Sequence, residues 1–127
     1  MGILRQVHAV AAWVFVASLV IQVFLAGAAI PQLGGSGVFA THIDFGYSAV
    51  GLAAFLVVVT AVIARVGRRD ILISLGLLVL YVVQTMLPYA KTSSPAIAAL
   101  HPVNALVLFA LATWYARRAW LRRVTVR

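Results

Sequence analysis

A chain of 127 residues holds one domain, but with 65% hydrophobic and only 9% charged residues it is not a soluble one, in which about a quarter of the residues carry charge. With no cysteine, disulfide frameworks, thiolate metal sites and thiol redox chemistry are excluded, and any metal centre has to use histidine or oxygen ligands. The formal net charge of +8 raises nucleic acid as a partner, and the placement of the charges, in three short groups between apolar runs, excludes it.

Four apolar runs reach or approach the roughly 18 residues that mark a membrane span. They predict an all-α fold: an integral membrane four-helix bundle of up-down-up-down order, one transmembrane domain over residues 1–127. The first span is expected over 8–30, stopped by Pro31 and the flexible Gly34-Gly35-Ser36-Gly37 loop. The second, over 38–66, carries Gly46, Ala49, Ala53 and Ala54 at helical spacing, so that another helix or a flat ligand can approach its backbone. A tight turn at Val66-Gly67-Arg68-Arg69-Asp70 follows, with Asp70 a plausible cap for the third span, over 71–89. Ser94 and Pro95 read as N-cap and first helical residue of the fourth span, over 95–120, in which Pro102 should kink the helix and free a carbonyl one turn earlier. Trp13, Trp114, Tyr115 and Trp120, and at the other end Tyr47, Tyr81 and Tyr89, are read mostly as interfacial anchors.

Nine of the ten basic residues are arginines, in three groups: Arg5; Arg65, Arg68 and Arg69; and Arg117, Arg118, Arg122, Arg123 and Arg127. All three groups fall on one side of a four-span chain, and the only lysine, Lys91, falls on the other. The positive-inside rule then puts both termini in the cytoplasm of a bacterial-type plasma (inner) membrane, with the arginines against anionic lipid.

The chain also repeats itself. Gln22, near the end of the first span, precedes His42 at the head of the second by 20 residues, and Gln84 precedes His101 by 17. Two such helical hairpins related by a two-fold axis would aim His42 and His101 at each other, and opposed imidazoles in an apolar bundle are the axial ligands of a b-type haem. Each histidine alone could equally cap a helix end; the repeat favours the pair. Measured to Arg65 and Arg117, the two histidines differ in depth by about 10 Å, and with Arg122 as the boundary by about 3 Å, so the second register is expected. Below the histidines, Gly46 and Ala49 on one helix and Asn104 and Ala105 on the other leave room for a porphyrin. Gln22 and Gln84 would orient the ligands or line the pocket, or simply hydrogen-bond between helices. Lys91 could pair a haem propionate and Asp44 could accept an imidazole N–H, or both could be solvated loop charges. His8 has no partner histidine at its depth and is read as an interfacial residue.

The stretch from Leu80 to Ala112, with Gln84 and Leu100-His101, resembles the four-helix half-unit of haem A synthases, and the span pattern is similar over nearly the whole chain. In that family each half places a histidine near the outer end of its second and fourth helices to hold a haem, and His42 and His101 match those positions. The resemblance implies haem binding. It does not carry synthase activity over, because Phe39 stands where the family's substrate-binding half has an acidic residue, and the family's loop cysteine pair is missing. The chain is also similar to a family of small bacterial four-span membrane proteins.

The expected function is that of a membrane b-type haem protein, one haem b per chain, held by His42 and His101 near the outer leaflet and passing single electrons to a quinone or a larger membrane oxidoreductase. An electron carrier or haem-binding protein is expected rather than a stand-alone enzyme. A homodimer imitating an eight-span synthase, haem delivery or storage, and a non-catalytic accessory subunit packed against a larger complex are the alternatives.

Overall fold

A chain this apolar has to satisfy its backbone amides internally, and helices do so within each segment. In the computed structural model, which describes residues 2–123, four helices are long and apolar enough to cross a membrane: α1 (Gly2–Ala29), α2 (Ala40–Ile63), α3 (Arg68–Lys91) and α4 (Pro95–Arg122). No strand occurs among the described residues. Arg127, the last of the C-terminal arginines, lies outside them.

Three of the helices are irregular, and each irregularity sits towards the end that carries His42 and His101, the histidine end. In α2, five residues, Gly46–Val50, form a π-helical segment one turn after His42. Nothing in the residue pattern announced it. Such widened turns are frequent where a side chain is re-aimed at a site. The last turn of α3 tightens into 3₁₀ geometry over Leu87–Lys91. In α4 the short piece Pro95–Ala98 is separated from Leu100–Arg122 at Ala99, because Pro102 offers no N–H to the Ala98 carbonyl four residues back, as its position predicted.

Each helix packs against two others: α1 and α3 both lie against α2 and against α4. The core is drawn from one stripe each of α1, α2 and α4, namely Ala12, Phe15, Val16 and Leu19; Val50, Ala53, Ala54 and Val57; and Leu108, Ala112, Tyr115 and Ala116, with Leu77 of α3 and its partly buried neighbours Ile73, Leu80 and Tyr81 against them. These recur at three- and four-residue intervals, and many are alanine, which lets helix axes approach closely where lipid supplies no hydrophobic drive. The outer faces are as apolar as the core, with Val14, Val23, Phe24, Leu52, Val79 and Leu106 exposed. Ser18 donates to the Phe15 carbonyl and Ser74 to that of Ile71, each turning back on its own helix, so neither is left unpaired in an apolar medium; the Thr113 hydroxyl, buried in α4, has no such partner.

Asp70 does not cap α3. Gly67 occupies the N-cap position, with φ +104°, and Asp70 is buried in the first turn, where Arg118 Nε donates to one carboxylate oxygen at 2.7 Å and Arg122 Nη1 to the other at 3.0 Å. A carboxylate at a helix start is favoured by the dipole, and here it also ties α3 to α4.

Candidate functional site

At the histidine end the two hairpins build the same contact twice. His42 Nδ1 donates to the Gln22 carbonyl at 3.0 Å, and His101 Nδ1 donates to the Gln84 carbonyl at 3.0 Å. With the proton on Nδ1, each Nε2 presents a lone pair, and the side-chain amides of Gln22 and Gln84 lie 3.3 and 3.2 Å from those nitrogens as donors. The two imidazoles face one another across the bundle diagonal, ring centres 6.5 Å apart and planes inclined at 73°. Ring centres this close leave no room for the offset of about 10 Å in the Arg117 register, and Arg122, pairing with Asp70 at the far end, fits the second register.

The copies differ in one respect. Three residues after His101, Asn104 Nδ2 donates to Gln84 Oε1 at 2.7 Å and to the Leu80 carbonyl at 3.1 Å. Three residues after His42 stands Phe45, and Gln22 Oε1 is buried without a donor. The Gln22 amide is fixed instead through its nitrogen, which also donates to the His42 carbonyl at 2.8 Å. It lies against Gly46, where a Cβ would come within 2.7 Å of Nε2. Tyr81, half-buried on α3, donates to the Gly46 carbonyl at 3.0 Å and so holds the π segment from the other side.

Of the remaining candidates, Ala49 and Ala105 are half-buried on the helices that carry the histidines. Lys91 and Asp44 are exposed. The role considered for Asp44 falls to backbone: the Gln22 and Gln84 carbonyls take the imidazole N–H groups.

Among the described residues no three His, Cys, Asp or Glu side chains come together, so a closed zinc-type site, which needs about four protein ligands, is not formed there. Two imidazoles with anchored Nδ1–H groups suit a metal whose other ligands come with it, as in a porphyrin. With metal–nitrogen bonds of about 2 Å, imidazole centres on either side of one ion stand roughly 6 Å apart, close to the separation here. The orphaned Gln22 Oε1 marks the same place as one whose hydrogen bonding is incomplete.

A model described as "Family of unknown function (DUF6220)" matches residues 22–91. The chain belongs to this family. The DUF6220 match begins at Gln22 and takes in His42 and Gln84, three of the four residues of the paired contact, and ends ten residues before His101. No curated protein and no solved structure matches the chain.

At the opposite end, the arginine end, His8 is not the interfacial residue expected. It is 2% exposed, with Nδ1 3.0 Å from Thr60 Oγ1 and Nε2 3.0 Å from the Tyr115 hydroxyl. Tyr115, read as an anchor, is 1% exposed and donates to the Asp70 carbonyl at 3.0 Å. A neutral His8 then donates from Nε2 to Tyr115, and the Thr60 proton is shared between Nδ1 and the Leu56 carbonyl. The signal was present in the residues: a histidine within an apolar run, and an aspartate among arginines, are both too costly to be idle in a membrane.

Replacing Gly46 by alanine tests how tightly the histidine-end site is built. The new methyl has to displace the Gln22 amide, breaking its bonds to His42 at a cost of about 1–2 kcal/mol. The expected result is a modestly lower melting temperature in detergent and a His42 ring-proton resonance that moves while that of His8 does not.

Proposed function

We propose that the chain is a membrane haem protein whose two axial ligands are His42 and His101. The observation that carries the proposal is the paired imidazole geometry, ring centres 6.5 Å apart with both Nδ1–H groups committed to backbone carbonyls. That commitment selects the tautomer in which Nε2 is the metal-binding nitrogen and makes each ring a better ligand. When bound, a haem b with both axial positions filled supplies one-electron transfer rather than oxygen chemistry.

The residues around the imidazoles have defined parts in this. Gln22 and Gln84 hold the ring planes through their carbonyls, and their side-chain amides have to swing away from Nε2 for ligation. Beyond that contact Gln22 is held through its nitrogen by the His42 carbonyl and Gln84 through its oxygen by Asn104, so each amide has one further bond to adjust. Gly46, Ala49 and Ala105 keep bulk off the same faces, and Lys91 is the cation at this end suited to a propionate. The arginine groups favour an up-down-up-down bundle with both termini cytoplasmic in a bacterial inner membrane, which puts the histidine end towards the outer leaflet. A quinone or a larger membrane oxidoreductase is the natural redox partner, and two copies paired would give eight spans.

A second reading rests on the same amides. Because each Nε2 already has an amide donor, the Gln–His pairs also work as interhelical clasps in an accessory subunit that carries no cofactor. An optical spectrum separates the two. Protein purified from haem-replete cells should show a sharp reduced-minus-oxidised haem b difference spectrum with about one haem per chain. A colourless preparation that also fails to take up added haemin would leave the clasp.

A further inference from the structure

The arginine end contains a second site that electron transfer does not use. A cavity of about 260 Å³ opens between α1, α3 and α4, lined by Arg5, Asp70, Arg118, Arg122 and Arg123 over a floor of His8 and Tyr115. Four arginines and one carboxylate line it, a formal surplus of three positive charges; two of the arginines pair with Asp70, and the Arg123 guanidinium lies over the Trp120 ring. Asp70 has one oxygen taken by Arg118 and the other by Arg122, so it neutralises no more than part of the set. Arg5 brings a guanidinium Nε that is fully enclosed and has no acceptor. An enclosed donor without an acceptor leaves the Arg5 guanidinium poorly compensated, and an anion in the cavity that this arginine lines would offset its charge. The floor is a poor alternative acceptor, because the His8 and Tyr115 polar atoms are already engaged with each other, with Thr60 and with the Asp70 carbonyl.

We propose that this cavity binds a phosphate-bearing anion, either the headgroup of an anionic phospholipid or a soluble phosphate. Planar guanidinium forks match phosphate oxygens two at a time, and basic pockets between spans at the cytoplasmic end are where such headgroups seat. The volume is several times the roughly 30 Å³ of a water molecule, enough for a phosphate group with part of its hydration. Asp70 fixes Arg118 and Arg122 towards the cavity, and Arg5 and Arg123 close it from the two ends of the chain.

The test uses the full chain in a neutral detergent at physiological salt. Short-chain phosphatidylglycerol, phosphatidylcholine of the same chain length and inorganic phosphate are titrated in turn, with occupancy read by native mass spectrometry and by the melting temperature. Saturable binding of about one phosphatidylglycerol per chain is expected, weakened about ten-fold or more by Arg5→Gln with Arg123→Gln. Arg68→Gln with Arg69→Gln removes the same charge from exposed positions at the same end and should weaken it no more than about two-fold, because those charges are screened. If the first pair lowers the melting temperature of the unliganded protein, Arg5→Gln alone, in the first turn of α1, serves in its place, with a loss of about three-fold or more. Competition by inorganic phosphate would identify a soluble ligand, and its failure a lipid; both keep the site. Equal weakening by the two double variants, equal binding of phosphatidylcholine, or no saturable binding of any of the three would overturn it.

Discussion

Under the proposed ligation, alanine in place of His42 or of His101 is expected to abolish haem b binding, lowering affinity by at least about a hundred-fold, since even changes to the groups supporting a metal ligand cost about ten- to a hundred-fold. The measurement is the reduced-minus-oxidised spectrum of each variant, purified beside the parent chain and titrated with haemin. Folding has to be followed in parallel, because each histidine also joins two helices: His42→Ala removes a bond to the Gln22 carbonyl and the acceptor for its amide, worth about 1–2 kcal/mol together. A chain that melts a few degrees lower yet stays helical and colourless is the expected outcome. Gln22→Leu supplies the contrast. As an axial ligand, His42 should keep its haem when the Gln22 amide is gone; as half of a clasp alone, it should couple to Gln22 in the double-mutant cycle only through the side-chain bond between them, since the Gln22 carbonyl still accepts from His42 after Gln22→Leu. An unchanged haem spectrum in both alanine variants would falsify ligation by this pair.

The second large effect is expected from Asp70. Its carboxylate is 8% exposed and joined to Arg118, 19% exposed, and to Arg122, 53% exposed. Asp70→Asn leaves the two guanidinium groups facing each other without the intervening charge. Breaking a buried pair costs about 3–5 kcal/mol, and the low end applies because Arg122 can rehydrate. Unfolding in mixed detergent micelles should therefore show a loss of about 3 kcal/mol, with α3 and α4 separating first. Removing the partner as well is informative: Asp70→Leu combined with Arg118→Leu should be less damaging than Asp70→Asn, since a paired removal leaves fewer buried charges unmatched. Equal stability of Asp70→Asn and the parent chain would mean that the ion pairs contribute nothing and that α3 is held by its apolar contacts and its other hydrogen bonds, those of Tyr81, Gln84 and Leu80.

Much of this molecule could be read from its residues, and the failures share a cause. The four helices, the break before Pro102 and the pairing of each glutamine with the histidine 20 or 17 residues later all follow from local chemistry or from a repeat visible along the chain. In sequence His8, Tyr115 and Asp70 read as interfacial residues or a cap, because the usual clue to burial, an apolar stripe on a polar helix, is missing when every face is apolar. Val10 and Val14, about half exposed, look in sequence no different from Val16, which is buried. The π segment at Gly46–Val50 was equally invisible, because a widened turn is selected by what Gln22 and Tyr81 need from the Gly46 backbone, and both belong to other helices.

The order of residues by itself determined the number of apolar helices, the charge asymmetry of their ends and the presence of two matched Gln–His units, because these depend on hydrogen bonds and solvation within a segment; the first helix, expected from residue 8, begins at Gly2. Only the tertiary structure decided that the imidazoles stand 6.5 Å apart, that Gln22 Oε1 lacks the donor that Asn104 gives to Gln84, and that four arginines line one cavity with a single aspartate. The reason is physical: in lipid the choice of which apolar face turns inward is made by small-residue fit and by a few polar contacts between helices, and those terms exist only once the helices have met.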